Sequence, residues 1–545
     1  MRKIIKKIFI NILYFFYSLL VKITIKDKRT IPSKYVYDIF EIFPAAEKNV
    51  NNKISLPYVQ IDNFNRHDLN RPYEVLPVDI LNSNQPKEIN IINTDKAILP
   101  LAILDREDTS DNECNIDISY GGNDHKIILR YKNRFHYLPL ENDQKFNSIS
   151  VQCEDAKLAI GEPVINSSTS SNPKLIVHIF VDAMSRTILD LCNEDAMPFT
   201  KSFFSSGKDF KNVFSQGDWT LSSISGAFTG RYTKDHLVYH PRRNDKISFP
   251  TLAETLDEEG YLTSLISSIP KITPLNGFDK GFKRCVIAPH EDANFIINEA
   301  IEQLDSFHQN QYLFLGFFDI HEAYRLQPIS SQLKNNLSDA NYKNPVTSNT
   351  LEIKFDEERL RRYKDALQHF DSKLELLYKA IESFDNDATV LLHSDHGVDF
   401  ITLNSQRLSK ERQKVPLMLK GKDLDGLNED SIKEIREIPS IIMNLINKKH
   451  SFNYGDSGMS ITESIYPKQD YELAIRDQKY TLFFQVPWRY VHKREKNEFN
   501  YNTTFCLVDD ELASQERNIE YDSMLQIAIN HYQSLIDNLI KFEDR

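Results

Sequence analysis

The densest group of chemistry-bearing residues follows the short apolar run 389–392 (TVLL): His393, Ser394, Asp395 and His396, closed by Gly397. An Asp and a His side by side at a strand end can put a carboxylate oxygen and an imidazole nitrogen on one divalent cation. The same residues read equally well as an Asx turn with a surface histidine. Two further apolar runs end in acids. Residues 175–181 (LIVHIFV) lead into Asp182, and residues 312–318 (YLFLGFF) lead into Asp319, with His321 two positions on. One acid at a strand end says little, because Asp is a common turn former. The fourth feature is a hydroxyl. Within 217–230 (GDWTLSSISGAFTG), residues 221–228 suit a short helix with Thr220 at its start and Gly230 as its stop. A hydroxyl there faces unsatisfied N–H groups and the positive end of the helix dipole, a place suited to a phosphate or sulfate anion. The competing role for Thr220 is a helix cap, which is commoner.

These groups act together only if a scaffold brings the strand ends side by side. The runs 175–181, 312–318 and 389–392, separated by helical stretches, read as strands buried on both faces. Between them, Tyr363, Leu367, Phe370, Leu374, Leu377 and Ile381 recur at helical spacing over 360–384. Residues 249–268 read as a helix, a break at Gly260, then a strand. This alternation predicts an α/β domain over 174–545, with a mostly parallel sheet flanked by helices and its ligand site beyond the carboxyl ends of the strands. Upstream, 116–120, 126–131 and 148–153 read as strands between Asn, Asp and Gly turns. They predict a small β-rich, sandwich-like domain over 50–165, and the polar cluster 166–173 (NSSTSSNP) marks its boundary.

Composition narrows the class. The 545 residues are 41% hydrophobic and 26% charged, ordinary globular usage that excludes a disordered or collagen-like chain. A net charge of −12 removes the global basic field of a nucleic-acid binder. At the N-terminus, Arg2, Lys3, Lys6 and Lys7 precede an apolar run over 8–21, which Lys22 interrupts before 23–25 extend it. With no small-residue cleavage site after it, 1–25 reads as a signal anchor, and an amphipathic surface helix is the competing reading. The basic start predicts a cytoplasmic N-terminus with the remainder outside. Five cysteines, Cys114, Cys153, Cys192, Cys285 and Cys506, leave at least one without an intramolecular partner and form no zinc pattern. Cys114 and Cys153 share the strand-rich region and can pair in an exported chain, although spacing does not give their geometry.

Taken together, the segments resemble the alkaline phosphatase/sulfatase superfamily. Residues 181–186 (VDAMSR) look like its first metal-binding strand end, and 220–232 (TLSSISGAFTGRY) resemble the sulfatase nucleophile signature. Thr220 stands where sulfatases carry the Cys that becomes formylglycine. Residues 249–253 (FPTLA) through Gly260 and Tyr261, 394–397 (SDHG), 414–417 (KVPL) and 454–457 (YGDS) match in order, so the likeness runs from about 174 to 519. It implies an alkaline-phosphatase-like fold and one divalent metal ion on Asp182, Thr220, Asp395 and His396. Zn or Mn suits that set, with Ca and Mg as alternatives. It also implies Thr220 as nucleophile, His321 as anion binder or leaving-group acid, and Arg186, His240 and Lys414 against the substrate anion.

The departures point to a subclass. Thr220 cannot become formylglycine, and Ala183 stands where many sulfatases have a second acid. A Thr nucleophile in a reduced metal site looks like the lipid A phosphoethanolamine transferases and the glycerol-phosphate polymerases of lipoteichoic acid synthesis. Those relatives usually have Glu at the position of Asp182 and several membrane helices. The resemblance therefore implies a membrane-anchored, metal-dependent phosphotransferase. It would move phosphoethanolamine or glycerol phosphate from a phospholipid donor to a surface polysaccharide or lipid, with no nucleic-acid partner. A hydrolase of the same superfamily (a phosphodiesterase or atypical sulfatase) and an inactive glycan-binding protein are the alternatives.

Overall fold

The computed structural model describes residues 53–543 except 58–72, 82–85, 105–113, 130–134, 154–155, 166–173, 193–195, 240–245, 290, 322–356, 402–406, 453–457 and 467–468. The anchor predicted for 1–25, the boundary cluster 166–173 and the YGDS segment 454–457 fall outside the described residues. Among those described, no helix is long and apolar enough to cross a membrane.

The runs that the sequence marks as buried strands are the centre of a mixed α/β sheet. Leu175–Val181 lies between Gln311–Phe317 and Thr389–His393, and Gln311–Phe317 continues to Leu262–Ser267 and Arg284–Ile287, all parallel. All seven residues of Leu175–Val181 are buried, as a strand covered on both faces requires. Its side chains alternate between two cores. Val177, Ile179 and Val181 face Tyr363, Phe370 and Leu374 of the helix Glu357–Phe384 and Ile296 of the helix Ala293–Ser306. Ile176 and Phe180 face Leu221 and Ile224 of the helix Thr220–Thr229, together with Leu252 and Leu256 of Leu252–Glu258. The break at Gly260 takes φ +84°, in the left-handed region that favours glycine, between that last helix and the strand Leu262–Ser267.

The β-rich segment differs from the predicted separate sandwich. Its strands Tyr73–Leu81, Lys157–Gly161, Lys87–Leu104, His136–Gln152, Cys114–Tyr120 and Asn123–Leu129 follow one another in a single antiparallel ladder. That ladder joins the parallel sheet where Cys285–Ile287 pair with Tyr73–Val75. The predicted strands are present, but alternation along a strand does not reveal which neighbour its edge will meet. The ladder has its own core of Leu99, Ile116, Ile118, Ile149 and Val151. Its junction with the parallel sheet carries a buried ion cluster: Arg284 donates to Glu74 at 2.6 Å and to Glu299 at 3.0 Å. The C-terminal part is a five-stranded antiparallel sheet, Ser460–Ser464 through Asp510–Ser514, covered by the helix Ile519–Glu543.

Candidate active site

Neighbouring parallel strands bring the acids together. Asp182 follows Leu175–Val181 directly, and Asp395 and His396 follow the adjacent strand Thr389–His393. All three are buried, and their ligand atoms lie within 4.8 Å of one another. His396 Nε2 stands 3.2 Å from Asp395 Oδ2 and 3.8 Å from Asp182 Oδ1. The His396 Nδ1–H donates to the Gly397 carbonyl at 2.8 Å, which turns Nε2 toward the carboxylates. Asp395 divides its two oxygens. Oδ1 accepts from the backbone N–H of Ala183 at 3.0 Å and of His396 at 2.9 Å, whereas Oδ2 has no hydrogen-bond partner among the described residues. Asp182 Oδ1 is likewise buried without one.

Two buried carboxylates this close repel each other. Burial first, and the Asp395 charge second, push the Asp182 carboxyl well above the usual carboxylate range. The hydrogen bond from Thr220 and the charge of Lys271 pull it the other way. Orphaned carboxylate oxygens facing an imidazole nitrogen are a donor set that suits a divalent cation, and a cation would neutralise the acid pair. The residues present therefore fit one metal ion.

Thr220 is the first residue of its helix, and the capping position belongs to Trp219, which makes no side-chain cap. The Thr220 hydroxyl instead donates to Asp182 Oδ2 at 3.4 Å. Of the two roles left open for this residue, capping is thus set aside by geometry. The helix ends at Gly230 with φ +70°.

The turn after Asp182 is held in an uncommon shape. Ala183 takes φ +62°, and four hydrogen bonds secure the turn. Besides the bond to Asp395, Ser394 Oγ accepts from Met184 N–H at 2.8 Å, and Tyr363 Oη accepts from Ser185 N–H at 2.9 Å while donating to the Ala183 carbonyl at 2.8 Å. Beneath the site a line of three hydrogen bonds crosses the sheet. His393 Nδ1 lies 3.1 Å from the Ser394 carbonyl, which can only accept, so His393 carries its proton there. His178 Nε2–H must then donate to His393 Nε2 at 2.7 Å, and Tyr312 Oη–H to His178 Nδ1 at 3.0 Å. Burial keeps both imidazoles neutral, their pKa values lowered, that of His393 to about 4.

Other residues singled out in the sequence go elsewhere. Arg186 donates to Asp190 at 2.8 Å and to Asp209 at 2.5 Å, so its guanidinium is committed to two acids outside the cluster. Lys414 sits half-buried within the fields of Asp190 and Arg186. The Asp319 carboxylate accepts from Ala293 N–H at 3.0 Å at the start of a helix and lies 3.5 Å from Lys373. His321 stacks on Phe318 with ring centroids 4.5 Å apart. His240 falls outside the described residues. Lys271 carries no motif in the sequence and joins the site only in the fold. It lies four residues beyond Leu262–Ser267, its pKa is lowered by burial, and its field reaches Asp182. The signal that could have found it is its place just past the carboxyl end of a central parallel strand.

Residues 174–426 match the family model described as Sulfatase. No curated protein matches the chain. Among solved structures, the yidJ protein of Bacteroides fragilis, described as a candidate sulfatase, superposes with a TM-score of 0.50 at 11% identity, covering 68% of this chain and 98% of its own. A protein solved with its substrate D-glucosamine-2-N,6-O-disulfate gives 0.50 at 11% identity over 67% of this chain and 99% of its own. At such identities the likeness is one of fold.

Proposed function

We propose, from the match of residues 174–426 to the Sulfatase family model, a metal-dependent phosphotransferase with Thr220 as its nucleophile. The enzyme is anchored outside the cytoplasm and moves phosphoethanolamine or glycerol phosphate from a phospholipid to a surface glycan or lipid. The observation that carries this reading is the Thr220 hydroxyl, released from capping and aimed at Asp182 beside the Asp395–His396 pair.

Asp182, Asp395 and His396, with Thr220, would hold one divalent ion, Zn or Mn by donor type. When bound, that ion supplies charge neutralisation for the phosphoryl oxygens and a lowered pKa at a coordinated hydroxyl. The protein's own groups do the rest. Asp182 Oδ2 orients the Thr220 O–H for attack on phosphorus; the hydroxyl gives up its proton as the O–P bond forms and the bond to the lipid oxygen breaks, and the departing lipid alcohol takes up one proton. The first turn of the helix Thr220–Thr229 turns its unsatisfied N–H groups toward developing negative charge. The charge of Lys271 adds positive field at Asp182. An acceptor hydroxyl then displaces Thr220 from phosphorus and returns the enzyme to its starting state.

A cavity of about 210 Å³ beside the C-terminal sheet has a mixed lining, Arg407, Glu472 and Gln485 together with Leu408, Leu473 and Phe484. It is joined to the nucleophile turn through side chains. Arg407 Nη1 donates to Ser464 Oγ at 3.1 Å, and Ser464 Oγ donates to Asp218, two residues before Thr220, at 2.7 Å.

The test is intact-mass analysis of the purified chain after incubation with vesicles of phosphatidylethanolamine or phosphatidylglycerol, with bound metal measured alongside. An adduct on Thr220 with about one metal per chain supports the transferase, and the adduct mass names the group carried. Turnover without a retained adduct replaces it with a hydrolase, and neither metal nor adduct replaces it with a binding protein.

A further inference from the structure

Cys114 opens the strand Cys114–Tyr120, and Cys153 immediately follows the strand His136–Gln152. These strands pair antiparallel, with Asp117 opposite Gln152, so the two cysteines meet at one end of the ladder. Their sulfurs lie 3.1 Å apart, although 39 positions separate them in sequence. Both side chains are buried in the core of the ladder among Ile116, Ile118 and Val151. A bonded pair needs about 2.05 Å between sulfurs. Closing the remaining distance, about 1 Å, takes a side-chain rotation of two residues already facing each other.

We propose that Cys114 and Cys153 are the site of a structural disulfide, formed when the chain folds in an oxidising compartment. The step is thiol–disulfide exchange with a disulfide-bearing oxidant, a protein oxidase or glutathione disulfide. One cysteine thiolate attacks the oxidant's disulfide, expelling one thiol and leaving a mixed disulfide. The second thiolate displaces the other. The chain loses two protons and two electrons, and the oxidant's disulfide becomes two thiols. Such a bond persists outside the cytoplasm and is reduced within it, so this site records the compartment in which the chain works. The inference stands on the ladder geometry and does not depend on the phosphotransfer reading.

The purified chain is refolded in a glutathione redox buffer, alkylated without reductant and mapped by peptide mass spectrometry. The expected result is one cross-linked peptide pair joining Cys114 to Cys153, lighter by two hydrogen atoms, with the other three cysteines alkylated. Reductant should also lower the Tm of the oxidised wild type and leave a C114A/C153A double variant unchanged. Alkylation of both Cys114 and Cys153 in the oxidised sample overturns the proposal, as does a bridge from either to another cysteine. Because the peptide map is read on the wild-type chain, it decides the matter even if the double variant folds poorly.

Discussion

The backbone N–H of Ala183 donates to Asp395 Oδ1 at 3.0 Å while Ala183 itself sits at φ +62°. One strand end thereby fixes the carboxylate of its neighbour, and the free oxygen, Oδ2, is left pointing at His396 Nε2. A left-handed alanine costs about 1 kcal/mol, and the hydrogen bonds that the turn donates to Asp395 and Ser394 and accepts from Tyr363 hold it there.

Replacing Ala183 tests that arrangement. Ala183→Gly should keep the metal affinity and gain up to about 1 kcal/mol of stability. Ala183→Val, β-branched at positive φ, should lose stability and weaken metal binding together. Calorimetric metal titration of both variants gives the answer, and a Val variant that binds as the wild type does would contradict it.

Thr220→Ala should abolish adduct formation and turnover while changing stability by less than about 1 kcal/mol, because the lost hydroxyl makes no cap. Thr220→Ser should keep part of the activity. Unfolding curves alongside turnover separate the two effects.

Asp395→Asn keeps an oxygen for the Ala183 and His396 N–H groups but removes the charge that opposes Asp182. The metal-free variant should melt at or above the wild-type temperature, and the rise in Tm on adding metal should vanish. Chelator should lower the Tm of the loaded wild type only.

Arg284 links the antiparallel ladder to the parallel sheet through Glu74 and Glu299. Arg284→Met strands two buried acids and should cost about 3–5 kcal/mol in urea unfolding. A loss below about 1 kcal/mol would mean that water reaches those carboxylates.

Burial, and then the neighbouring Glu434, push the Glu437 carboxyl up to about 8. The folded chain thus holds a proton that the unfolded chain releases near the ordinary value of 4.5. Stability from this group is present below that value and falls as pH rises toward 8, by up to about 1.4 kcal/mol per pH unit. Glu437→Gln should flatten the decline in Tm between about pH 5 and 9, and parallel curves would refute it.

The central strands were legible because burial on both faces leaves an unbroken apolar run, as in 175–181. The helix Glu357–Phe384 was legible because its buried stripe repeats at helical spacing. Asp182, Asp395 and His396 followed from those runs, since parallel neighbours put their carboxyl ends together. What stayed hidden depended on partners remote in sequence. The pairing of Arg186 with Asp209 was not legible because Asp209 lies on another short strand. The antiparallel ladder looked like a separate unit because the pairing of Tyr73–Val75 with Cys285–Ile287 joins segments more than 200 positions apart. His178 lies inside a run read simply as apolar, and its match to His393 became visible only across the sheet.

That pair, with Tyr312, has a one-way character. The Ser394 carbonyl accepts at one end, so every donor in the line points toward it and no member can turn round alone. The row therefore has one proton arrangement and no alternative with all three bonds kept. Replacing His178 with a side chain that reverses or interrupts this direction would be felt at Ser394, and so at the loop that presents Asp395, although His178 lies a strand away.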